Sequence, residues 1–464
     1  MSENAPIRDA RELGVPKMII LGLQHMFAMF GATVLVPIIT GLSVSTTLLC
    51  AGLGTLLFHF ITKRKVPAFL GSSFAFLGGY AAIAPAEGAG GMTQAQLLPY
   101  ACFGVACAGL VYFILAACIK AVGVNKVMRY FPPVVTGPII IAIGLGLAGS
   151  AINNCQTDWL VAIVALAVVI IFNIWGKGMM KIIPIILGVV ASYIVAIIRA
   201  DVDFAPIKDA AWIGLPVHTS STIFAIDWSN KSLIISAVIA IVPIALATMM
   251  EHIGDISAIS ATTGENYIKD PGLHRTLMGD GLATTLASIF GGPANTTYGE
   301  NTGVLVLTKV YDPKVIRLAA CFAAFLSFCP KFAAVIETIP AATIGGISFV
   351  LYGMISAAGV RNVVDSRVDF TNNRNLIVAA VILVTSLGLT AGATFSIGSV
   401  TITLSALAVA SIAGIVLNAI LPGKDFDFEE DAPIDTGASL SSSANAKDVK
   451  KTKKAEAKEA AAEA

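Results

Sequence analysis

From residue 18 to residue 421 the chain is a succession of apolar stretches, most of them close to the ~20 residues that a helix needs to cross a bilayer. No water-soluble fold can bury so many. Charge is correspondingly scarce: 30 Lys+Arg and 29 Asp+Glu make 13% of the chain, half of the ~25% usual in soluble domains. Six of these charges fall in residues 1–17 and seventeen in 422–464, which leaves 36 for the 404 residues between. Mean hydropathy is +0.82. A soluble enzyme, a nucleic-acid binder and a secreted disulfide protein are excluded on this ground. The seven Cys form no Cys-x-x-Cys pair and mostly sit in apolar runs, so they read as free thiols acting as small hydrophobes. The first 17 residues are polar and do not have the pattern of a cleavable signal.

The apolar stretches number fourteen. They divide the chain into a tail (1–17), seven spans (18–198), a loop (199–231), seven more spans (232–421) and a second tail (422–464). With the N-terminus inside, 26 of the 30 basic residues fall on the cytoplasmic side. Arg199, Lys208, Lys231 and Lys331 are left outside, as the positive-inside rule requires. Both termini are then cytoplasmic. Seven spans per half is an odd number, so the two halves insert with opposite orientation.

Landmarks recur between the halves. Pro67-Ala68 and Pro293-Ala294 open the third and tenth spans at an offset of 226. Gln24-His25 resembles Glu251-His252, and Pro133-Val-Val-Thr136 resembles Pro340-Ala-Ala-Thr343. Each Pro-Ala opens a polar, small-residue stretch that suits a broken span. Inverted repeats with matching broken spans point to a secondary transporter with its site near the midplane. Non-helical backbone at that depth must be buried in protein or line a wet cavity.

The clearest ionisable residues within spans are Glu251, Asp255 and Glu300. A carboxyl at bilayer depth is costly and points to function. Glu251 and Asp255 are four residues apart and share a helix face. Two carboxyls so close resist ionising together, so one is expected to hold a proton. The plainer reading of Asp255 is a hydrated residue at the cytoplasmic end of its span. His25 and His252 read as core histidines bonded to a neighbouring span, and His59, near Lys63–Lys65, as interfacial. No metal-ligand spacing, phosphate-binding glycine loop or nucleophile–base pair appears, so no cofactor is implied and any pumping uses an ion gradient.

Glu300-Asn301-Thr302-Gly303, four apolar residues and Thr308-Lys309 resemble the signature of the nucleobase–cation symporter-2 family, also called nucleobase–ascorbate transporters. Gln24-His25 matches a second family mark. Gly71-Ser-Ser-Phe-Ala-Phe76, Glu251-His-Ile-Gly-Asp255, Asp270-Pro-Gly-Leu-His274 and Asn295-Thr-Thr-Tyr-Gly-Glu-Asn301 resemble its bacterial uracil permease branch. The resemblance covers about residues 16–422. It implies an all-α membrane protein of fourteen segments in a 7+7 inverted repeat. Segments 3 and 10 are broken by short antiparallel strands. Spans 1–4 and 8–11 form a core, and spans 5–7 and 12–14 a gate through which homodimers form. It further implies uptake of uracil with protons across the bacterial inner membrane. Glu251 and Glu300 bind the ring, the backbone at Phe74 and Gly299 takes its remaining polar edge, and Ala32, Phe74 and Tyr298 pack around it. Glu251 and Asp255 handle the proton. Some uracil permeases carry His where this chain has Asp255, so here an acid pair replaces an acid–imidazole pair.

A xanthine or urate permease of the same family usually has Gln at the position of Glu300. An uncoupled facilitator or channel would not need the intramembrane acids. The orientation is testable in a cysteine-free background. A cysteine placed in 199–231 should react with an impermeant maleimide added outside, and one at 63–65 should not. Outside labelling at 63–65 would overturn the fourteen-span reading.

Overall fold

The computed structural model describes residues 6–199, 202–389, 392–397 and 400–423. The C-terminal tail, expected from its composition to be disordered, lies outside the described residues from 424 onward. The described chain is mostly helical. Six helices are long and apolar enough to cross a membrane: Val15–Thr40, Val44–Ile61, Gln94–Val122, Pro133–Cys155, Lys231–Thr263 and Ala341–Asp365. A bent pair, Pro313–Leu326 and Pro330–Glu337, turns by 89° and makes a seventh if counted as one span. Trp159–Trp175, Pro184–Ile198, Asn373–Gly388 and Ala406–Ile420 are shorter apolar helices.

Local chemistry sets the boundaries. Asp158 caps the Trp159 helix by accepting from the Leu160 and Val161 amides. Gly41 and Gly264 end their helices in the left-handed conformation that glycine adopts without steric cost. Pro243 sits in a short 3-10 turn, Val242–Ile244, that interrupts the Lys231–Thr263 run. The helix resumes at Ala245 and continues to Thr263, two turns beyond Asp255. The last apolar stretch is not helical throughout: strands Ala393–Ile397 and Val400–Leu404 pair antiparallel before the helix that starts at Ala406.

The helices pack in two groups. Val15–Thr40, Val44–Ile61, Gln94–Val122, Leu273–Ile289 and Pro313–Leu326 lie against one another. Pro133–Gly146, Trp159–Trp175, Pro184–Ile198, Ala341–Asp365 and Asn373–Gly388 do likewise. Small residues permit the closest crossings. A Cβ on Gly109 would stand 2.7 Å from Gly281 O, and one on Gly281 would stand 2.4 Å from Tyr112 Cβ. In the second group a Cβ on Gly144 would stand 2.2 Å from Tyr352 O.

Between the long helices of the first group lie two short strands, β1 (Leu70–Ser72) and β2 (Asn295–Thr297), paired antiparallel with Gly71 opposite Thr296. Two further bonds extend the ladder, from Ser73 N to Ala294 O (2.9 Å) and from Tyr298 N to Phe69 O (3.0 Å). Hydroxyls serve the outward-facing backbone. Thr55 Oγ1 accepts from Leu70 N (2.9 Å) and donates to Leu70 O (3.2 Å). Thr284 Oγ1 does the same for Asn295, at 3.2 and 2.8 Å. Tyr298 Oη–H donates to Ser72 O at 2.8 Å. Thus a strand pair too short to be stable alone meets the requirement that buried backbone groups be bonded.

The helix crossing makes a prediction. Gly109→Val forces the Gln94–Val122 and Leu273–Ile289 helices apart and should cost about 1–3 kcal/mol. It should appear as lower folded yield and a lower unfolding temperature in detergent. Gly149→Ala, where nothing lies within 4 Å of the added carbon, should match the wild type. Equal stability of Gly109→Val would show that the crossing is not tight.

Candidate functional site

The polar chemistry gathers where β2 ends and the Gly299–Thr308 helix begins. Glu251 and Asp255 project from the Ala245–Thr263 helix toward it. Thr297 Oγ1–H donates to Asp255 Oδ2 at 2.7 Å, joining the acid to the strand. A Cβ on Gly299 would lie 4.0 Å from Asp255 Oδ1, so the Gly299 backbone faces the same carboxylate. Asp255 is partly buried and well inside its helix. Its bond to Thr297 and the continuation of the helix to Thr263 do not fit a hydrated residue at the end of a span.

Glu251 and Glu300 are partly buried. Asp255, Asp280 and Glu300 all lie within electrostatic reach of Glu251. Glu251 Oε2 is buried and has no hydrogen-bond partner among the described residues. A buried acceptor left unpaired costs ~1–3 kcal/mol or more, so such a group in a native fold asks for an explanation.

Tyr298 roofs the ladder. Its ring is buried, its hydroxyl holds Ser72 O, and Thr33 Oγ1 approaches it at 3.4 Å. Gly71 is needed beneath it, because a Cβ there would stand 2.5 Å from the Tyr298 ring. Ala32 is fully buried in the Val15–Thr40 helix, next to Thr33, whose carbonyl accepts from Ser72 Oγ–H at 2.9 Å. Phe74 follows β1 and is buried, with its ring edge-on to Tyr352, centroids 5.8 Å apart at 76°. Phe74 thus bridges the two groups of helices, since Tyr352 belongs to Ala341–Asp365.

Both core histidines are buried, but only His25 is hydrogen-bonded to a neighbouring span. His25 is fully buried, and Asn301 of the signature donates from Nδ2 to His25 O at 3.1 Å. His252 is fully buried with Asp280 Oδ2 2.9 Å from its Nδ1, though the approach is not aligned as a hydrogen bond. His59, expected at the interface, is fully buried in the protein, with Nε2 2.8 Å from Ala68 O. Its ring holds the turn into β1, which proximity to Lys63–Lys65 in sequence does not reveal.

Asp280 is the residue that the sequence reading passed over. It is fully buried in the Leu273–Ile289 helix, on the side that faces Glu251 and His252. The signal was available, since it is the one acid within the ninth apolar stretch. Among the described residues no three His, Cys, Asp or Glu side chains are grouped to hold a metal ion.

A model described as "Permease family" matches residues 16–395. The uracil permease of Bacillus subtilis (strain 168) is 40% identical over 436 residues, covering 91% of this chain and 97% of the relative. That of Bacillus caldolyticus is 42% identical over 433 residues, covering 91% and 96%. The uracil permease of Escherichia coli (strain K12) is 38% identical over 413 residues, covering 86% and 90%. Among solved structures, the transmembrane domain of the cyanobacterial bicarbonate transporter BicA aligns with TM-score 0.58 at 15% identity, over 88% of this chain and 99% of that one. SLC26A9 aligns with TM-score 0.61 at 10% identity, over 87% and 64%. At those identities the likeness is one of fold. The matching proteins are permeases rather than enzymes, and the apolar helices make this a multi-pass membrane protein. The chain belongs to the nucleobase–cation symporter-2 family of permeases.

Proposed function

We propose that this permease carries uracil together with protons into a bacterial cell across the inner membrane. The observation that carries the reading is the buried, unpartnered Glu251 Oε2 beside Glu300, at the end of a strand pair. Uracil is a flat ring with two N–H donors and two carbonyl acceptors. An ionised Glu accepts an N–H, and a protonated one also donates to a carbonyl. Glu251 and Glu300 take the ring, the backbone of Phe74 and Gly299 takes its remaining polar edge, and Ala32, Phe74 and Tyr298 enclose it. Relatives called uracil permeases, similar over most of their length, support this substrate.

Glu251 and Asp255 carry the proton between them. Protonation of one relieves the repulsion between like charges held close in a low-dielectric site and readies the site for a neutral ligand. The fourteen-span, 7+7 inverted arrangement with both termini cytoplasmic completes the reading. The ladder supports the repeat. Thr55 holds both backbone groups of Leu70 as Thr284 holds those of Asn295, and the bond from Ser73 N to Ala294 O matches that from Tyr298 N to Phe69 O. These matches place a local two-fold axis through the Gly71–Thr296 rung, at an offset of 225, one less than that of the Pro-Ala pairs. Spans 1–4 and 8–11 act as the core, which moves against a gate of spans 5–7 and 12–14. The gate also forms the homodimer contact. The two packed groups of helices support that division.

Two variants test the site. Glu300→Gln keeps the size but places a donor where an acceptor is needed. Loss of a buried charge-assisted bond at ~1.5–3 kcal/mol should weaken uracil binding about ten- to a hundredfold, and unchanged binding would remove Glu300 from the site. Asp255→Asn should depress proton-driven accumulation in vesicles far more than equilibrium exchange of uracil, which moves no net proton. Wild-type accumulation by that variant would leave the proton to Glu251 alone or to a histidine.

A further inference from the structure

The N-terminal segment, expected as a polar tail, is laid onto the body of the protein. Ile7 makes a parallel bridge to Val310: its amide donates to Lys309 O at 2.8 Å and its carbonyl accepts from Tyr311 N at 2.9 Å. Ala10 is fully buried, packs with Val310 and Val315, and donates from its amide to the buried Asp312 Oδ2 at 2.8 Å. Asp9 pairs with Lys314 at 3.0 Å and with Arg11 at 2.8 Å. The hydrogen bonds from Arg11 and Lys314 hold the Asp9 carboxyl well below the usual carboxylate range, so it stays charged at physiological pH. On the other side Arg8 pairs with Glu265 and donates from Nη2 to Thr263 O at 3.1 Å.

These contacts join two particular helix ends. Thr263 closes the Ala245–Thr263 helix, which carries Glu251 and Asp255. Lys309 closes the Gly299–Thr308 helix, which carries Glu300, and holds a left-handed φ of 54° at its C-cap. The Thr308-Lys309 end of the family signature lies far from the carboxylates, and its backbone is where the strap attaches. Glu251 is twelve residues from Thr263, ~18 Å along a helix, and Glu300 is eight from Thr308, ~12 Å. Helices are stiff over such lengths, so fixing the far ends fixes the separation of the carboxylates.

We propose that residues 7–10 are a strap that sets the spacing between the two carboxylate-bearing helices, with Arg8 and Asp9 as positioning residues. The proposal rests on reading Glu251 and Glu300 as ligand groups. The backbone bridge and the buried Ala10 amide seat the strap, and the ion pairs choose its partners. Each exposed pair is weak alone, so the test disables both.

Uracil uptake is measured in proteoliposomes holding the full chain, with low or high potassium chloride on the side of the strap. R8A/D9A should raise KM about three- to tenfold, the effect of two weak pairs together, and leave Vmax within about twofold. The KM of the wild type should rise with salt, since surface pairs are screened and neutral uracil is not. The double variant should have lost that dependence. R8E and E265R should each raise KM, and R8E/E265R should bring it back toward the wild type. A folded R8A/D9A protein with wild-type KM and salt response, or a charge swap that restores nothing, would overturn the strap as a positioning device. A wild-type protein that takes up no uracil would instead bring down the substrate reading, and the positioning role with it.

Discussion

A strand pair of three residues each, set among apolar helices, can persist only if every polar backbone group that leaves the ladder finds a partner. Thr55 and Thr284 each serve both the amide and the carbonyl of one strand residue, and Tyr298 serves the carbonyl of Ser72. The surrounding packing follows from that arrangement. Tyr298 must lie flat over the ladder, so Gly71 can carry no side chain. Asn295, turned to the other side, donates to Cys50 O at 3.2 Å, and a Cβ on Gly54 would lie 2.4 Å from its amide nitrogen. The Gly299–Thr308 helix then starts with Glu300 in its first turn, where a negative charge is favoured.

The charges near the ladder are graded by their partners. Asp255 has the Thr297 hydroxyl, Asp280 has His252 beside it, and Glu251 Oε2 has none among the described residues. Repulsion among acids this close opposes charging all of them, and an unpaired acceptor is the group with most to gain from a ligand N–H. On the proposed reading this is why Glu251 serves both ring and proton. It is the acid whose bonding is completed from outside the protein, and its charge depends on its neighbours.

The sequence was most legible where chemistry is dense and local. The i, i+4 acids of one apolar stretch and the polar run after Pro293 marked the residues that meet at the end of β2. Four features escaped it, each for a physical reason. Asp280 is a single acid between two glycines in an apolar stretch, and its importance lies in facing His252 from another helix. His59 borders a basic turn in sequence but folds inward onto Ala68 O. The strand pair Ala393–Ile397 and Val400–Leu404 alternates apolar residues with Thr and Ser, a strand pattern that the count of apolar stretches absorbed into a helix. The strap of Ile7 to Ala10 lies within a polar segment, and its partners lie some 250 to 300 positions along the chain. For Asp280 and the strap the deciding contact is with residues distant in sequence, which no local pattern encodes.

The two halves also differ where a strict repeat would make them equal. The two-fold axis through the Gly71–Thr296 rung carries Phe74 onto Gly299 and Ala75 onto Glu300. A two-fold backbone offers two equivalent positions where a strand gives way to a helix, and a small unsymmetrical ring cannot use both in the same way. Phe74 and Ala75 make one of them apolar, with the Phe74 ring edge-on to Tyr352, and Gly299 and Glu300 leave the other polar. The symmetry is thus kept in the backbone, where it satisfies hydrogen bonds in pairs. It is broken in the side chains, and on the proposed reading an apolar wall at one junction and an acid at the other give the ring a single orientation.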